Sequence, residues 1–308
     1  MTPTHQDVTL GSFACVFGDL ERGPEDIPGF AALWQAAAPD TEFDAMGCGT
    51  FRTMSGPVEK YVVESVRQTL DGHAIRPEDV THLVLATSDA CLRALGRDCA
   101  VTVLDALGMT RCVPVVLSFQ QCCSSLAALR YGWELFSDED VRNVVLVSLD
   151  FTPDDSDRVK SFALFGDAVA SCLITRDAGG PLRLASATVK VDHSGLTGRD
   201  SFVSRQKVAQ TAFAKVFQES GERLDDVTSV FPTNLFQPVT LFNATIAGVP
   251  RDKLHFADTL RAYGHCGNSD WMINLVDYVE AVGIRTGEKY LAQASAPGFF
   301  ACGLLATT

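Results

Sequence analysis

RCVPVVLSFQQCCSSLAALRYGWELF, residues 111–136, changes its period halfway along, and that change decides the fold. Val113, Val115, Val116 and Leu117 form a short apolar run without helical spacing, which predicts a strand buried on both faces. From Ser124 onward the apolar residues fall at Leu126, Leu129, Trp133 and Phe136, in steps of three and four, so the chain has become an amphipathic helix. Cys122 and Cys123 sit at the junction. A thiol there faces the unpaired N–H groups and positive dipole end of a helix start, which favour a thiolate nucleophile. A cysteine taken at random is more often a small buried hydrophobe. Its place between strand and helix is what singles this pair out.

The composition bounds what surrounds that junction. A chain of 308 residues with 46% apolar and 20% charged residues can bury a large core. Its formal net charge of −13 gives no global basic field for nucleic acid or an anionic membrane. There is no apolar run long enough to span a bilayer, and the N-terminal MTPTHQDVTLGS lacks the basic-then-apolar layout of a secretory signal, so a cytoplasmic location is expected. The ten cysteines form no CxxC pair, and the histidines at 5, 73, 82, 193, 255 and 265 form no HxH or HExxH. Free thiols and no bound metal or cofactor are therefore expected.

Read in order, the chain repeats itself. A first strand at Val8–Phe17 precedes a proline-containing excursion at Gly18–Gly49 with a short helix near Phe30–Ala37. Then come a helix at Ser55–Leu70, a strand near Thr81–Thr87, a helix at Asp98–Leu107, the cysteine junction, and strands in VRNVVLVSLD and LFGDAVASCLIT. Asp79-Val80-Thr81 is answered by Asp226-Val227-Thr228, the helix ending ALGM by one ending AGVP, and the central strand by KLHFAD. YGHCGNSD, followed by a helix at Trp271–Val282, answers the cysteine junction, and KYLAQASA and FFACGLLAT close the pattern. Such order-preserving similarity indicates a duplicated β/α unit. Two mixed sheets with helices between and outside them follow, and the loops at Cys123 and His265 meet near a pseudo-dyad.

From Val8 to Thr308 the chain resembles the ketoacyl-ACP synthase III proteins, and the resemblance implies a thiolase-like α/β fold, a layered α-β-α-β-α sandwich. Residues 1–178 would form the half with the nucleophilic cysteine, and 179–308 the half with its partners. The family's A-C-x-G-F motif is matched by Cys122-Cys123-Ser124-Ser125-Leu126, which makes Cys123 the implied nucleophile. LFGDGAGA is matched by Leu164-Phe165-Gly166-Asp167-Ala168-Val169-Ala170, and the glycine-rich GGGFTWG loop by Pro297-Gly298-Phe299-Phe300. The resemblance therefore implies an oxyanion hole from the amides of Cys123 and Gly298.

Two departures steer the expected reaction. Where condensing members carry P-H-Q-A-N, this chain has Pro232-Thr233-Asn234, and where they carry Tyr-Gly-Asn it has Tyr263-Gly264-His265. The His–Asn pair that assists decarboxylation is thus replaced by Thr233 and His265. His265, with Asp270 at the start of the next helix, resembles an acyl-transferring branch in which a histidine deprotonates an incoming hydroxyl. The expectation is an acyltransferase with Cys123, His265 and Asp270 as catalytic residues, working on specialised metabolites. Acyl carrier protein or coenzyme A would be the thioester donor, and the acceptor a small-molecule alcohol or amine. The alternatives are a condensing synthase with an altered pair and a non-catalytic partner subunit. Thr233 and Asn234 are expected at the substrate, and Leu95 and Gly96, in ALGRDC, at the acyl pocket of a partner in a homodimer. Arg205, Lys207, Lys215, Arg251 and Lys253 are candidate carrier contacts.

Overall fold

The computed structural model describes residues 8–176, 179–199 and 201–308. The first seven residues of the N-terminal stretch, and residue 178 at the expected boundary between halves, lie outside them. Among the described residues nine strands form one sheet: β1 (Thr9–Phe17), β4 (His82–Thr87), β5 (Val113–Leu117), β6 (Asn143–Asp150), β7 (Ala168–Thr175), β8 (Leu182–Val191), β9 (Ser229–Phe231), β10 (Lys289–Ala296) and β11 (Phe299–Thr307). Two short strands, β2 (Leu20–Arg22) and β3 (Phe51–Thr53), pair within the expected proline-containing excursion.

The order β5-β4-β6-β7-β1-β8-β11-β10-β9 shows the duplication. In the first half β5, β4 and β6 run parallel, and β7 and β1 add antiparallel. In the second half β9 and β10 run parallel, and β11 and β8 add antiparallel. The two meet at a single antiparallel pairing, Leu10 with Leu182, so the expected pair of sheets is continuous through one contact. KLHFAD does not form its expected strand. Only Leu254 bridges to Val230, in the place that β5 holds beside β4, because the chain turns at once into the helix Ala257–Tyr263.

Two helices fill the middle layer. Ser124–Glu134 buries Leu126, Ala128, Leu129 and Trp133, and Asp270–Ala281 buries Trp271, Met272 and Leu275, all in one core with residues of both half-sheets. The two are tied by the Trp271 indole N–H donating to Ser125 Oγ at 2.9 Å. Val58–Asp71 and Cys99–Leu107 pack in a second core outside the first half, and Phe202–Ser220 and Gln237–Ala247 in a third outside the second half. The result is the α-β-α-β-α layering expected from the repeat.

The run at Val113–Leu117 is a strand, but not one buried on both faces. Among the described residues β5 pairs only with β4 and ends the sheet, leaving Val113 50% and Val116 45% exposed. A continuous apolar run fits a doubly covered strand and an uncovered apolar edge equally well, so sequence alone does not separate them.

Candidate active site

The thiols part company at the end of β5. Gln121 adopts a left-handed backbone (φ 53°), which is costly for a residue with a side chain, and a 3₁₀ turn over Gln121–Cys123 leads into the helix. After this turn Cys122 lies on the wall of a cavity of about 1200 Å³, partly exposed. Cys123 points the other way. It is fully buried in the central core, and its thiol donates to the Ala294 carbonyl at 3.3 Å. Burial pushes that thiol well above the usual cysteine range, with the neighbouring Cys122 adding to the effect, so Cys123 stays protonated.

His265 meets Cys122, not Cys123. Its Nε2 is 3.5 Å from Cys122 Sγ, while Nδ1 is 2.6 Å from Asp270 Oδ2. The LFGD segment holds the histidine loop in place. His265 donates its amide to the Leu164 carbonyl at 2.8 Å and accepts from the Gly166 amide at 3.0 Å, and the Phe165 ring lies 4.8 Å from the imidazole. Glycine is required at 166, since a Cβ there would come within 2.2 Å of the Tyr263 carbonyl oxygen. Asp167 forms a buried ion pair with Arg158 at 2.7 Å and accepts from the amides of Met54 and Thr152, which anchors the segment.

Asp270 is buried, with its charge spread over three donors: the Cys266 amide, the Asn234 amide and His265 Nδ1. A carboxylate on Nδ1 fixes the tautomer and leaves Nε2 to exchange a proton with Cys122. Burial acts to lower the His265 pKa, but the Asp270 carboxylate, with Cys122 next, outweighs it and holds the imidazole well above its ordinary value. The arrangement can pass a proton between sulfur and histidine and support the positive charge that results.

The remaining expected site residues divide. Gly298 lines the same cavity, in the left-handed conformation (φ 75°) that the Pro297-Gly298 turn between β10 and β11 needs. The Cys123 amide donates to the Gln120 carbonyl at 3.0 Å, so it is already engaged within the turn and is not an open oxyanion donor. Thr233 and Asn234 do not line the main cavity. Thr233 Oγ1 accepts from the Ser295 amide, and Asn234 is fully buried, its side chain tied to Thr259 and Asn274. Asn234 thus supports Asp270 from behind. Leu95 and Gly96 are not part of this chain's cavity wall either. Leu95 packs at the edge of the second core, and Gly96 is exposed with no atom within 4 Å of a built Cβ. Of the basic candidates, Arg205 lines the cavity, Lys215 pairs with Glu219, and Lys253 donates to three backbone carbonyls.

Asp150 and Asn268 belong to the site although nothing in the sequence singles them out. Asp150, at the end of β6, accepts from the Ser88 amide and from both the amide and side-chain N–H of Asn268. Asn268 Oδ1 in turn accepts from the Ser125 amide at 2.9 Å, in the first turn of the cysteine helix. One side chain therefore fixes the histidine loop to the helix that follows Cys122. Gly267 leaves room for it, since a Cβ there would lie 2.0 Å from Asp150 Oδ2.

No protein-family model and no curated protein sequence matches the chain. Solved structures match it over nearly its whole length. ChlB3, described as an acyltransferase, superposes with a TM-score of 0.82 and 17% identity, covering 98% of each chain. An OleA variant of Xanthomonas campestris gives 0.80 at 14% identity, covering 97% of this chain and 98% of its own. The 3-oxoacyl-(acyl carrier protein) synthase III, FabH, of Xanthomonas oryzae pv. oryzae gives 0.80 at 15% identity, with the same coverage. The chain has the thiolase fold of the ketoacyl synthase III enzymes. Among the described residues no helix is long and apolar enough to cross a membrane, and no cluster of side chains is arranged to hold a metal.

Proposed function

We propose that the protein is an acyltransferase that moves an acyl group from an acyl carrier protein or coenzyme A thioester to an alcohol or amine of specialised metabolism, through an acyl-enzyme on Cys122. The observation that carries this reading is the relay Cys122–His265–Asp270, with sulfur 3.5 Å from Nε2 and the carboxylate 2.6 Å from Nδ1, at the wall of the large cavity. Cys122 gives its proton to Nε2 and its sulfur attacks the thioester carbonyl. The donor thiol leaves with that proton. The acceptor then gives its proton to Nε2 and attacks the acyl carbon, the S–C bond breaks, and the proton returns to Cys122. Gly298 is the proposed oxyanion donor, replacing the engaged amide of Cys123.

Acylation itself prepares the second step. Cys122 is among the groups that raise the His265 pKa, and that contribution disappears once the sulfur carries an acyl group. The imidazole then releases its proton more readily and serves as base for the acceptor. Decarboxylative condensation is disfavoured because, among the described residues, His265 is the only histidine on the cavity wall, where condensing members use a His–Asn pair. The open apolar edge at β5 supports a homodimer in which that strand meets its copy.

The test is the product formed from a malonyl thioester in the presence of hydroxyl and amine acceptors. Acyl transfer predicts an ester or amide that keeps the malonyl carboxylate. Release of carbon dioxide with a β-ketoacyl product would overturn it.

A further inference from the structure

Beside the main cavity lies a niche of about 10 Å³, between β10 and the helix Gln237–Ala247. That is room for one water molecule or one polar substituent. Leu235, Asn243, Ser295 and Phe300 line both spaces, so the niche adjoins the cavity across a shared wall. Its distinctive group is Gln293. The residue is 6% exposed, its Oε1 has no hydrogen-bond partner, and its neighbours Ala292 and Ala294 pack on the opposite face with the central core. A buried amide without a partner costs free energy, and something that enters the niche to pair with it recovers that cost.

We infer that Gln293 is a specificity-determining residue, and that the niche receives a second hydroxyl or amino group of the acceptor, beside the one that is acylated. The substrate class is therefore an acceptor with two neighbouring polar groups, a diol or an amino alcohol. This rests on the acyl-transfer reading and deepens it. The niche stands on the base side of the site: Thr233 lines it, and the next residue, Asn234, holds Asp270 behind His265. The acceptor must present its reacting O–H to His265, which brings its neighbouring substituent to this side. Much of the main cavity wall is apolar, with Phe119, Phe151, Phe162, Phe165 and Leu196 among its residues. A second hydroxyl meets few polar partners along that apolar part of the wall, and the unpaired Gln293 carbonyl oxygen offers one. Thr240 does not compete, since its hydroxyl already donates to the Leu235 carbonyl at 2.9 Å.

The experiment loads Cys122 from a short acyl thioester, then discharges the acyl-enzyme with ethanol or ethylene glycol, reading both steps by intact-protein mass. Wild type should discharge to the glycol about tenfold faster than to ethanol, after correction for its two hydroxyls. Gln293→Met should bring that ratio close to one with the loading rate unchanged, and Gln293→Glu, which keeps a polar tip, should retain a preference. A wild-type ratio near one means that the niche houses only a buried water, and overturns the inference while leaving acyl transfer intact. Slower loading with an unchanged ratio in Gln293→Met assigns the niche to the donor and overturns it equally. Failure to load Cys122 at all removes the acyl-transfer reading and the inference with it.

Discussion

His265→Ala is expected to lower turnover by about 10²- to 10⁴-fold while leaving slow loading of Cys122 detectable by mass. In the proposed reaction the histidine acts twice, taking the proton from sulfur and then from the acceptor, but the two steps depend on it unequally. A thiol reaches its nucleophilic form without help at moderately alkaline pH, whereas an alcohol does not. Loading should therefore recover as the pH is raised, and discharge to an alcohol should not. The imidazole is fully buried between Phe165, Cys122 and Asp270, so its removal leaves a small gap and no new charge, since the Asp270 carboxylate keeps the amides of Asn234 and Cys266. Rapid turnover by the variant would remove His265 from the mechanism.

Asp270→Asn is expected to cost about a hundredfold or more in the discharge step and to move its pH profile in a defined direction. Burial lowers the His265 pKa and the Asp270 carboxylate raises it, with the carboxylate prevailing. Discharge needs the neutral imidazole, so the wild-type rate climbs as pH rises toward that raised value. Without the carboxylate the burial effect dominates, and the climb moves to lower pH with a lower plateau. The plateau falls because the imidazolium formed during attack loses its counter-charge, and because the NH₂ end of asparagine would face the donors at Cys266, Asn234 or Nδ1. A merely structural role for Asp270 would lower the rate at every pH without shifting the profile.

The order of elements was legible because the repeat carries it: DVT precedes a strand in each half, and the two junction helices show their apolar spacing openly. His265 and Asp270 were legible for the same reason, as the second copy of the cysteine junction. Which of the two thiols faces His265 was not. Matching Leu126 to the motif's phenylalanine selects Cys123, but the thiol that reaches the cavity is set by the left-handed backbone at Gln121 and the 3₁₀ turn after it. Adjacent residues in such a turn point to different sides, and composition does not say which side holds the histidine. Thr233 and Asn234 are expected at the substrate from the sequence, yet neither lines the main cavity, and the peptide presents Asn234's amide to the Asp270 carboxylate. Asn268 escaped notice since an asparagine in a loop is ordinary, and its bonds to Asp150 and Ser125 exist only once three distant segments have converged.

The most direct test of the account is which cysteine carries the acyl group. Wild type, Cys122→Ala and Cys123→Ala are exposed briefly to an acyl thioester, and intact mass is followed by peptide mapping. A single acyl group is expected on Cys122 in wild type and in Cys123→Ala, and none in Cys122→Ala. Acylation of Cys123, or undiminished loading of Cys122→Ala, would contradict it.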